Sequence, residues 1–290
     1  MDRAMTGPFK IALFALAFLA AAPTPSRADD YEDAMEAITN GDHKKGYELL
    51  TPLALLGDVR AQNNLGVMYQ SGYGGVVDLR KAIEWFEMAA EKGQPQAQYN
   101  LAMIYAKGEG VDQDYREAAR WYEKSASQGV TRAQFKLATI LLEGRNGRAD
   151  HEKAAMWYRK AADRGMLMAM TALAGLYERG TGVPRNLEEA ARWYEKAAQK
   201  GESVAQHKLG LAYESGRGVE RNFQEAFKWH IAAATQGYHL AQLSVGDMWF
   251  EGRGVERDIQ QARRWWKRAA DQGNTDAQTK LDQLEQQERM

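Results

Sequence analysis

The apolar positions of this chain follow a helical period, and the pattern recurs. Between residues 58 and 71 they fall at i, i+4, i+7 and i+8, which is one face of an α-helix. A second stretch of similar spacing follows after a glycine-rich gap. Each unit therefore predicts two amphipathic helices, named helix A and helix B in chain order. The apolar positions of the first unit are Ala61, Leu65, Met68 and Tyr69 in helix A, and Ala82, Trp85, Phe86, Ala89 and Ala90 in helix B.

The two-helix unit recurs at a 36-residue step, and its register never slips. Tryptophan marks every helix B, at Trp85, Trp121, Trp157, Trp193, Trp229 and Trp265. A strict period of this length indicates a solenoid, in which each unit buries its apolar face against its neighbours. We expect six full copies, flanked by an N-terminal capping helix pair and a C-terminal capping helix. The expected bounds are 29–57 for the first cap, 58–93, 94–129, 130–165, 166–201, 202–237 and 238–273 for the copies, and 274–290 for the last cap.

Small residues on helix A accompany the large rings on helix B. Close packing requires both sizes, so we expect each repeat tryptophan to enter the space left by a small residue on a facing helix. The small column of helix A is Gly66, Ala102, Ala138, Ala174, Gly210 and Gly246.

The connection between the two helices reads Gly-x-Gly-Val in four copies, as at 108–111 and 180–183. Its first glycine suits the left-handed residue that ends a helix, and its second suits a turn with positive φ. An Asp or Asn three residues after the valine is the preferred cap of helix B. The first and third copies depart from the loop pattern, so we expect different loop geometry there. The cap column is Asp78, Asp114, Asp150, Asn186, Asn222 and Asp258.

Together, the segments Ala-Gln-x-x-Leu-Gly-x-x-Tyr, Gly-x-Gly-Val and Ala-x-x-Trp-Tyr/Phe-x-x-Ala-Ala resemble the Sel-one-like repeat, a variant of the tetratricopeptide repeat, over about residues 34–285. The resemblance implies an all-α protein, a right-handed superhelical solenoid of antiparallel helix pairs with helix A lining its concave face. Proteins of this family look like binding scaffolds. Exported bacterial members act as envelope regulators, as adaptors for assembly machines or as factors that meet host cells.

The helix A columns in which the copies differ are free to serve a ligand, because the repeat itself does not require them. By resemblance to tetratricopeptide units, two such columns point into the groove, where a largely apolar floor suits an extended or helical peptide. The alternative is that these side chains pack only on adjacent helices. The candidate protein-binding residues are Asn63, Tyr99, Met103, Phe135, Met168, Thr171, His207, Leu211, Leu243 and Asp247.

The first 28 residues have the pattern of a secretory signal peptide. Arg3 and Lys10 precede an apolar run at 11–22, and Ser26-Arg27-Ala28 follows as a small-x-small cleavage site. The alternative is an uncleaved membrane anchor, but the run is shorter than the roughly 20 residues that a spanning helix needs. We expect a mature protein that begins at Asp29, without stable membrane insertion. The expected location is the periplasm, with release outside the cell as the alternative.

Composition and motifs indicate binding rather than catalysis. The net charge of −1 does not favour nucleic acid, and no cysteine is present for disulfides. The five histidines form no ligand motif, so neither a metal nor another cofactor is expected. The loop glycines lack the Gly-Lys-Ser/Thr of a phosphate loop, and no nucleophile stands beside a base. We therefore expect a non-catalytic scaffold for a protein or peptide partner.

Two other functions stay open. One is an enzyme acting on cell-wall or β-lactam substrates, as described for a cysteine-rich branch of the family. This chain departs from that branch because it has no cysteine. The other is a secreted factor that contacts host cells. Fractionation of the producing cells and turnover of a chromogenic β-lactam would separate these functions.

Two further groups of residues have both a functional and a plain structural interpretation. A series of arginines along the later loops could form a docking rim for acidic partners, or it could be an ordinary solvated edge interleaved with glutamates. A methionine cluster could adapt to partners or fill core gaps. The arginines are Arg145, Arg148, Arg185, Arg217, Arg221, Arg253 and Arg257, and the methionines are Met166, Met168 and Met170.

Overall fold

A computed structural model describes residues 27–73 and 75–289 of the chain. Within these ranges the structure contains fifteen α-helices and no β-strand. The all-α architecture predicted from the sequence is therefore confirmed. The helices are α1 Arg27–Thr39, α2 His43–Leu55, α3 Val59–Ser71, α4 Leu79–Glu91, α5 Pro95–Lys107, α6 Tyr115–Ser127, α7 Thr131–Glu143, α8 His151–Asp163, α9 Leu167–Arg179, α10 Leu187–Gln199, α11 Ser203–Ser215, α12 Phe223–Thr235, α13 His239–Glu251, α14 Ile259–Ala270 and α15 Thr275–Arg289.

The expected signal peptide, 1–28, lies outside the described residues except for its last two positions. Those two residues form the start of α1, which begins at Arg27, before the expected mature start at Asp29. Within the part of the chain that the structure describes, no helix is long and apolar enough to cross a membrane.

Each helix A ends and each helix B begins as the loop residues predict. A glycine with φ between 69° and 74° closes every helix A, from Gly72 to Gly252. This left-handed conformation is strained for other residues, which explains why the column is invariant within the chain. Each helix B starts at an Asp or Asn whose side chain accepts backbone N–H groups of the first turn, as Asn186 does from Glu189.

The helices stack as a solenoid, because each one packs mainly against the helix before it and the helix after it in sequence. A continuous apolar core runs from α4 to α11, and smaller clusters extend it to both ends. The N-terminal cap, α1 and α2, joins the first full copy through buried Leu50, Leu53 and Leu65. At the other end, Ala277 and Leu284 of α15 cover Trp266.

The aromatic residue that fills the small column of helix A is not the repeat tryptophan, as the sequence led us to expect, but the residue after it. A Cβ atom added at Gly66 would lie 2.6 Å from Phe86 Cε1, and one added at Gly210 would lie 2.5 Å from His230 Cε1. The repeat tryptophan packs elsewhere. Trp265 is buried with Ala233 and with residues of α13. A large ring does face each of these small residues as expected, but the ring belongs to the residue one position after the repeat tryptophan.

A column of buried glutamines ties successive copies together. The Nε2 atom of Gln98 donates to the carbonyl oxygen of Ala90 in the preceding helix B, at 3.1 Å. Gln206 makes the equivalent bond to Ala198, also at 3.1 Å. Each bond gives a second donor to a carbonyl in the last turn of the helix, which also accepts from the N–H of the following glycine, as Ala90 does from Gly93 at 3.0 Å. The fourth copy has Met170 in this column. Gln is part of the repeat pattern, but its role is visible only in the structure.

The second glycine of the connection joins neighbouring copies. A side chain at Gly182 would overlap the carbonyl of His151, and one at Gly218 would overlap the carbonyl of Leu187. These carbonyls belong to the first residue of helix B in the preceding copy. The loop therefore docks directly on the backbone of its neighbour.

The third copy makes a different contact between its loop and the preceding copy. Its glycine, Gly147, faces only the side chain of Arg116. The Arg145 guanidinium instead donates to the Tyr115 hydroxyl of the preceding helix B, at 2.8 Å. The expected departure in loop geometry is therefore confirmed for this copy.

Candidate protein-binding face

The A helices of the third to sixth copies, α7, α9, α11 and α13, carry apolar side chains that the protein core does not cover. Met168 is 59% exposed, Leu211 is 37% exposed and Leu240 is 39% exposed. Since large apolar side chains are stabilised by removal from water, their exposure on three successive A helices indicates a surface available to a partner. This surface, formed by the A helices of these four copies, is named the helix A face below.

An open depression of about 330 Å³ lies on this face between α7, α9 and α11. Phe135, Met168 and Thr171, three of the residues predicted for the groove, line it together with Gly175 and Lys208. Gly175 leaves space in the floor because it has no side chain. The guanidinium of Arg179 lies over that space, since a Cβ atom at Gly175 would be 3.2 Å from its Nη1.

The two carboxylates at this depression already have partners. Glu178 contacts the Arg217 guanidinium at 3.2 Å and accepts a hydrogen bond from the Tyr194 hydroxyl at 3.1 Å. Burial raises the pKa of Tyr194, and the neighbouring Glu178 raises it further, so the phenol stays protonated and donates. Glu202 accepts from the Thr171 hydroxyl at 2.9 Å and caps the N-terminus of α11.

The ten predicted groove residues differ in their accessibility. Asn63, Tyr99 and His207 are buried between helices. The Tyr99 ring packs against Tyr122 with centroids 5.7 Å apart, and Asn63 accepts a hydrogen bond from Asn100. Met168 and Leu211 are exposed, whereas the other five are half-buried. Those five are Met103, Phe135, Thr171, Leu243 and Asp247.

Asp247 is engaged by its own chain at the C-terminal end of this face. Its Oδ1 atom accepts a hydrogen bond from Trp266 Nε1 at 2.9 Å and lies 3.0 Å from Lys280 Nζ. It therefore links the last full copy to the C-terminal helix. The accessible part of the predicted set lies in the middle copies, around Met168 and Leu211.

A buried histidine pair lies between the two helices of the fifth copy. His207 Nδ1 lies 3.1 Å from His230 Nδ1, and His230 Nε2 lies 3.2 Å from Glu214 Oε1 without the alignment of a hydrogen bond. Burial lowers the pKa of His207 to about 3, and repulsion from His230 adds to this effect. The repeat pattern alone did not reveal that these two residues pair.

The arginine series along the loops makes many contacts within the chain. Arg217 pairs with Glu178 at 3.2 Å, and Arg253 lies 3.5 Å from Glu214. The Nε atom of Arg257 donates to the carbonyl oxygen of Phe250 at 2.9 Å. These contacts favour the structural interpretation of the series over a docking rim.

No group of three or more His, Cys, Asp or Glu side chains suited to a metal ion occurs among the described residues. Of the methionine cluster, Met170 is buried in the core, Met166 is half-buried and Met168 is exposed. The cluster therefore divides between core packing and the helix A face.

The family model of the Sel1 repeat matches six consecutive segments of the chain, and each segment contains one helix A and one helix B. The chain belongs to the Sel1 repeat family. This confirms the resemblance seen in the sequence. The matched segments are 59–94, 95–130, 131–166, 167–202, 203–238 and 239–274.

Two solved structures share the Sel1 repeat fold with this chain. One is c5321 of uropathogenic Escherichia coli, described as a protective antigen with an SLR fold, which is 38% identical with a TM-score of 0.78. The alignment covers 81% of this chain and 50% of c5321, so the chain spans about half the length of that protein.

The second structure is a Sel1 repeat protein from Oxalobacter formigenes, which is 28% identical with a TM-score of 0.72. It aligns over 83% of this chain and 96% of its own length. No match is found among curated proteins. The predicted solenoid is confirmed by these structures, and the Sel1 repeat fold indicates a scaffold for protein interactions.

Proposed function

We propose that this Sel1 repeat protein is a non-catalytic, exported scaffold that holds a peptide segment or a protein domain on its helix A face. The observation that carries the proposal is the exposure of Met168, Leu211 and Leu240 on three successive A helices. Met168 also lines the open depression, together with Phe135 and Thr171. A row of exposed apolar side chains on successive helices suits a partner that presents several apolar anchors.

Export rests on the N-terminal sequence pattern, and we place the working compartment in the periplasm. N-terminal sequencing of the protein recovered from the periplasmic fraction should begin at Asp29. Recovery of the uncleaved chain from the cytoplasm would contradict export while leaving the binding proposal intact. Recovery from the culture medium would favour the host-contact role instead.

The binding surface is tested with a photo-crosslinking residue at Met168. Met156 provides a matched control, because it is also an exposed methionine, 42% accessible, but lies on helix B. We expect a discrete crosslinked partner at position 168 in intact cells and none at position 156. The crosslinked segment of the partner should then be synthesised and its affinity for the purified protein measured.

A third variant decides whether the apolar row does the binding. Leu211→Lys should weaken binding of the synthesised segment by about tenfold or more, because a charge replaces an apolar contact at the interface. Equal crosslinking at 156 and 168, or binding unchanged by Leu211→Lys, would contradict the proposal.

A further inference from the structure

Cations without ion-pair partners lie beside the apolar row of the helix A face. Arg179 and Lys208 flank the depression, and neither forms an ion pair within the described residues. They differ in this respect from Arg217, which Glu178 neutralises. An unpaired cation beside an apolar surface retains its full attraction for an incoming anionic group.

Two further cations lie on the helix A face, on the N-terminal side of the depression. Arg132 and Lys136 of α7 lie one 36-residue step before Met168 and Ala172, which line the depression. Both cations are exposed, and neither has an ion-pair partner in the described part of the chain. The repeat therefore places four free positive charges along the same face over three successive copies.

The acidic groups nearby cancel only part of this charge. Glu178 is already paired with Arg217, and Glu202 stabilises the positive N-terminal end of α11. With Arg217 counted against Glu178, Arg179 and Lys208 stand against the single charge of Glu202, so the groups at the depression carry one more positive than negative charge, although the whole chain carries a net charge of −1.

We infer that the segment bound on the helix A face is an acidic peptide, in which Asp or Glu side chains contact Arg179 and Lys208 while apolar side chains fill the depression beside Phe135 and Met168. This inference rests on the proposed binding function. The four cations lie on three different helices, so they match several side-chain carboxylates along a segment better than a single C-terminal carboxylate. The apolar floor and the interspersed glutamates disfavour a nucleic acid, which would bring a dense row of phosphates.

The inference is tested by fluorescence anisotropy with the purified full chain and three labelled, C-terminally amidated peptides of twelve residues. In these peptides leucine alternates with glutamate, with glutamine or with lysine. We expect the Leu/Glu peptide to bind at least about tenfold more tightly than the Leu/Gln peptide, and the Leu/Lys peptide to bind most weakly. The preference for Glu should shrink as salt is raised, because salt screens exposed charges.

Charge-reversal variants locate the site. Arg179→Glu/Lys208→Glu should weaken the Leu/Glu peptide by at least about tenfold and leave the Leu/Gln peptide nearly unchanged. The matched control is Arg80→Glu/Arg264→Glu, because both arginines are exposed on B helices and the change in net charge is the same. This control should change the affinity by less than about twofold. Circular dichroism confirms that both variants are folded, and Arg179→Gln/Lys208→Gln should show an intermediate loss.

The outcomes separate this inference from the proposed function. Equal affinity for the three peptides, or binding unaffected by the reversal at 179 and 208, would overturn the acidic preference while peptide binding itself stands. If a Leu/Gln peptide with a free C-terminus bound more tightly than the amidated Leu/Glu peptide, the cations would be assigned to a terminal carboxylate. The inferred contact with side-chain carboxylates within the segment would then be overturned. Absence of Leu/Glu binding up to about 100 µM would also overturn the inference. Binding to the helix A face would then be decided by the crosslink at Met168.

Discussion

Residues 23 positions apart pack ring to ring between the two helices of one copy. Tyr99 lies over Tyr122, with ring centroids 5.7 Å apart, and Phe135 over Tyr158, with centroids 5.5 Å apart. The same separation brings His207 to His230, whose ring centroids are 4.9 Å apart. The 23-residue separation therefore explains the buried histidine pair, because the two histidines occupy the positions at which other copies hold a pair of aromatic rings.

This pair should make the stability of the protein depend on pH. The pKa of His207 falls from 6.5 to about 3 on folding, since burial disfavours the imidazolium and His230 repels it. Below pH 6.5 the unfolded chain therefore binds a proton that the folded chain does not, and stability falls as the pH falls from 6.5 towards 3. The slope for one such group reaches at most about 1.4 kcal/mol per pH unit.

Urea unfolding midpoints of the wild type and of His207→Gln, measured between about pH 7 and pH 5, test this prediction. Glutamine retains hydrogen-bonding capacity but does not titrate, so the variant should lose part of the pH dependence. His151→Gln is the control because His151 is exposed at the start of α8. Parallel pH curves for the wild type and His207→Gln would refute the assignment.

Two glycines inside A helices should respond oppositely to alanine. Gly66→Ala places a methyl group 2.6 Å from Phe86 Cε1 and should destabilise the protein by about 1 to 3 kcal/mol. Gly175→Ala meets only the flexible end of Arg179 and should stabilise the protein by up to about 1 kcal/mol through helix propensity. Thermal unfolding of both variants measures the difference, and equal effects would contradict the assigned packing.

At the residue scale, the sequence predicted which positions are buried better than which residues touch. The period identified the apolar columns, but it could not assign the small column to Phe86 rather than Trp85, because adjacent rings on one helix have similar size. The separation of 23 positions between columns would have revealed the pair of His207 and His230. The repeat pattern defines each column separately and does not show which two columns face each other.

At the scale of the elements, helix ends were predicted well because they depend on local chemistry. A left-handed glycine ends helix A and an Asp or Asn begins helix B, and both signals can be read from single positions. The glutamine bonds to preceding carbonyls were not predicted, since they join different helices. The docking of Gly182 on the backbone of the preceding copy was missed for the same reason.

Because of that docking, we expect alanine to destabilise the protein far more at Gly218 than at Gly237. Gly218→Ala combines a positive φ of 79° with an overlap on the Leu187 carbonyl. We expect a loss above about 2 kcal/mol, because neither backbone can yield without shifting a helix. Gly237→Ala has a φ of 92° but meets nothing within 4 Å, so its cost should stay near about 1 kcal/mol. Chemical denaturation compares the two, and similar losses would contradict the interlocking role of the second loop glycine.

At the scale of the whole molecule, stability is distributed through contacts between consecutive helices. Trp193 in the middle of the array is buried, and its Nε1 donates to Glu189 at 3.0 Å. Trp193→Ala should cost about 3 to 5 kcal/mol, because it removes a large side chain from a close-packed core. A loss below about 1 kcal/mol in chemical denaturation would contradict a core role for this side chain.

The effect of a substitution should also stay near its position. Hydrogen exchange should show faster opening of α13 to α15 in Trp265→Ala, with α1 to α6 unchanged, since no substantial helix contact among the described residues joins the two ends. Uniform acceleration along the chain would show that the array unfolds as one unit.

The candidate site was predicted only in outline at this scale. Variation between copies selected positions on the A helices, and of these the structure leaves Met168 and Leu211 exposed and Phe135 half-buried. It could not distinguish Tyr99, which packs on Tyr122, from Phe135, which also lines the depression. The unpaired state of Arg179 and Lys208 could not be read from the sequence, because it depends on where every neighbouring carboxylate points.

The restriction of contacts to consecutive helices has a consequence for how such a protein can change over generations. Duplication or loss of one 36-residue unit inserts or removes two junctions of the kind already present and leaves the remaining ones as they were. The span of the molecule is therefore adjustable in fixed increments, independently of the chemistry of any one copy. A gene built in this way can first change the number of copies, and so the length of the protein, and can then acquire substitutions in the new copy.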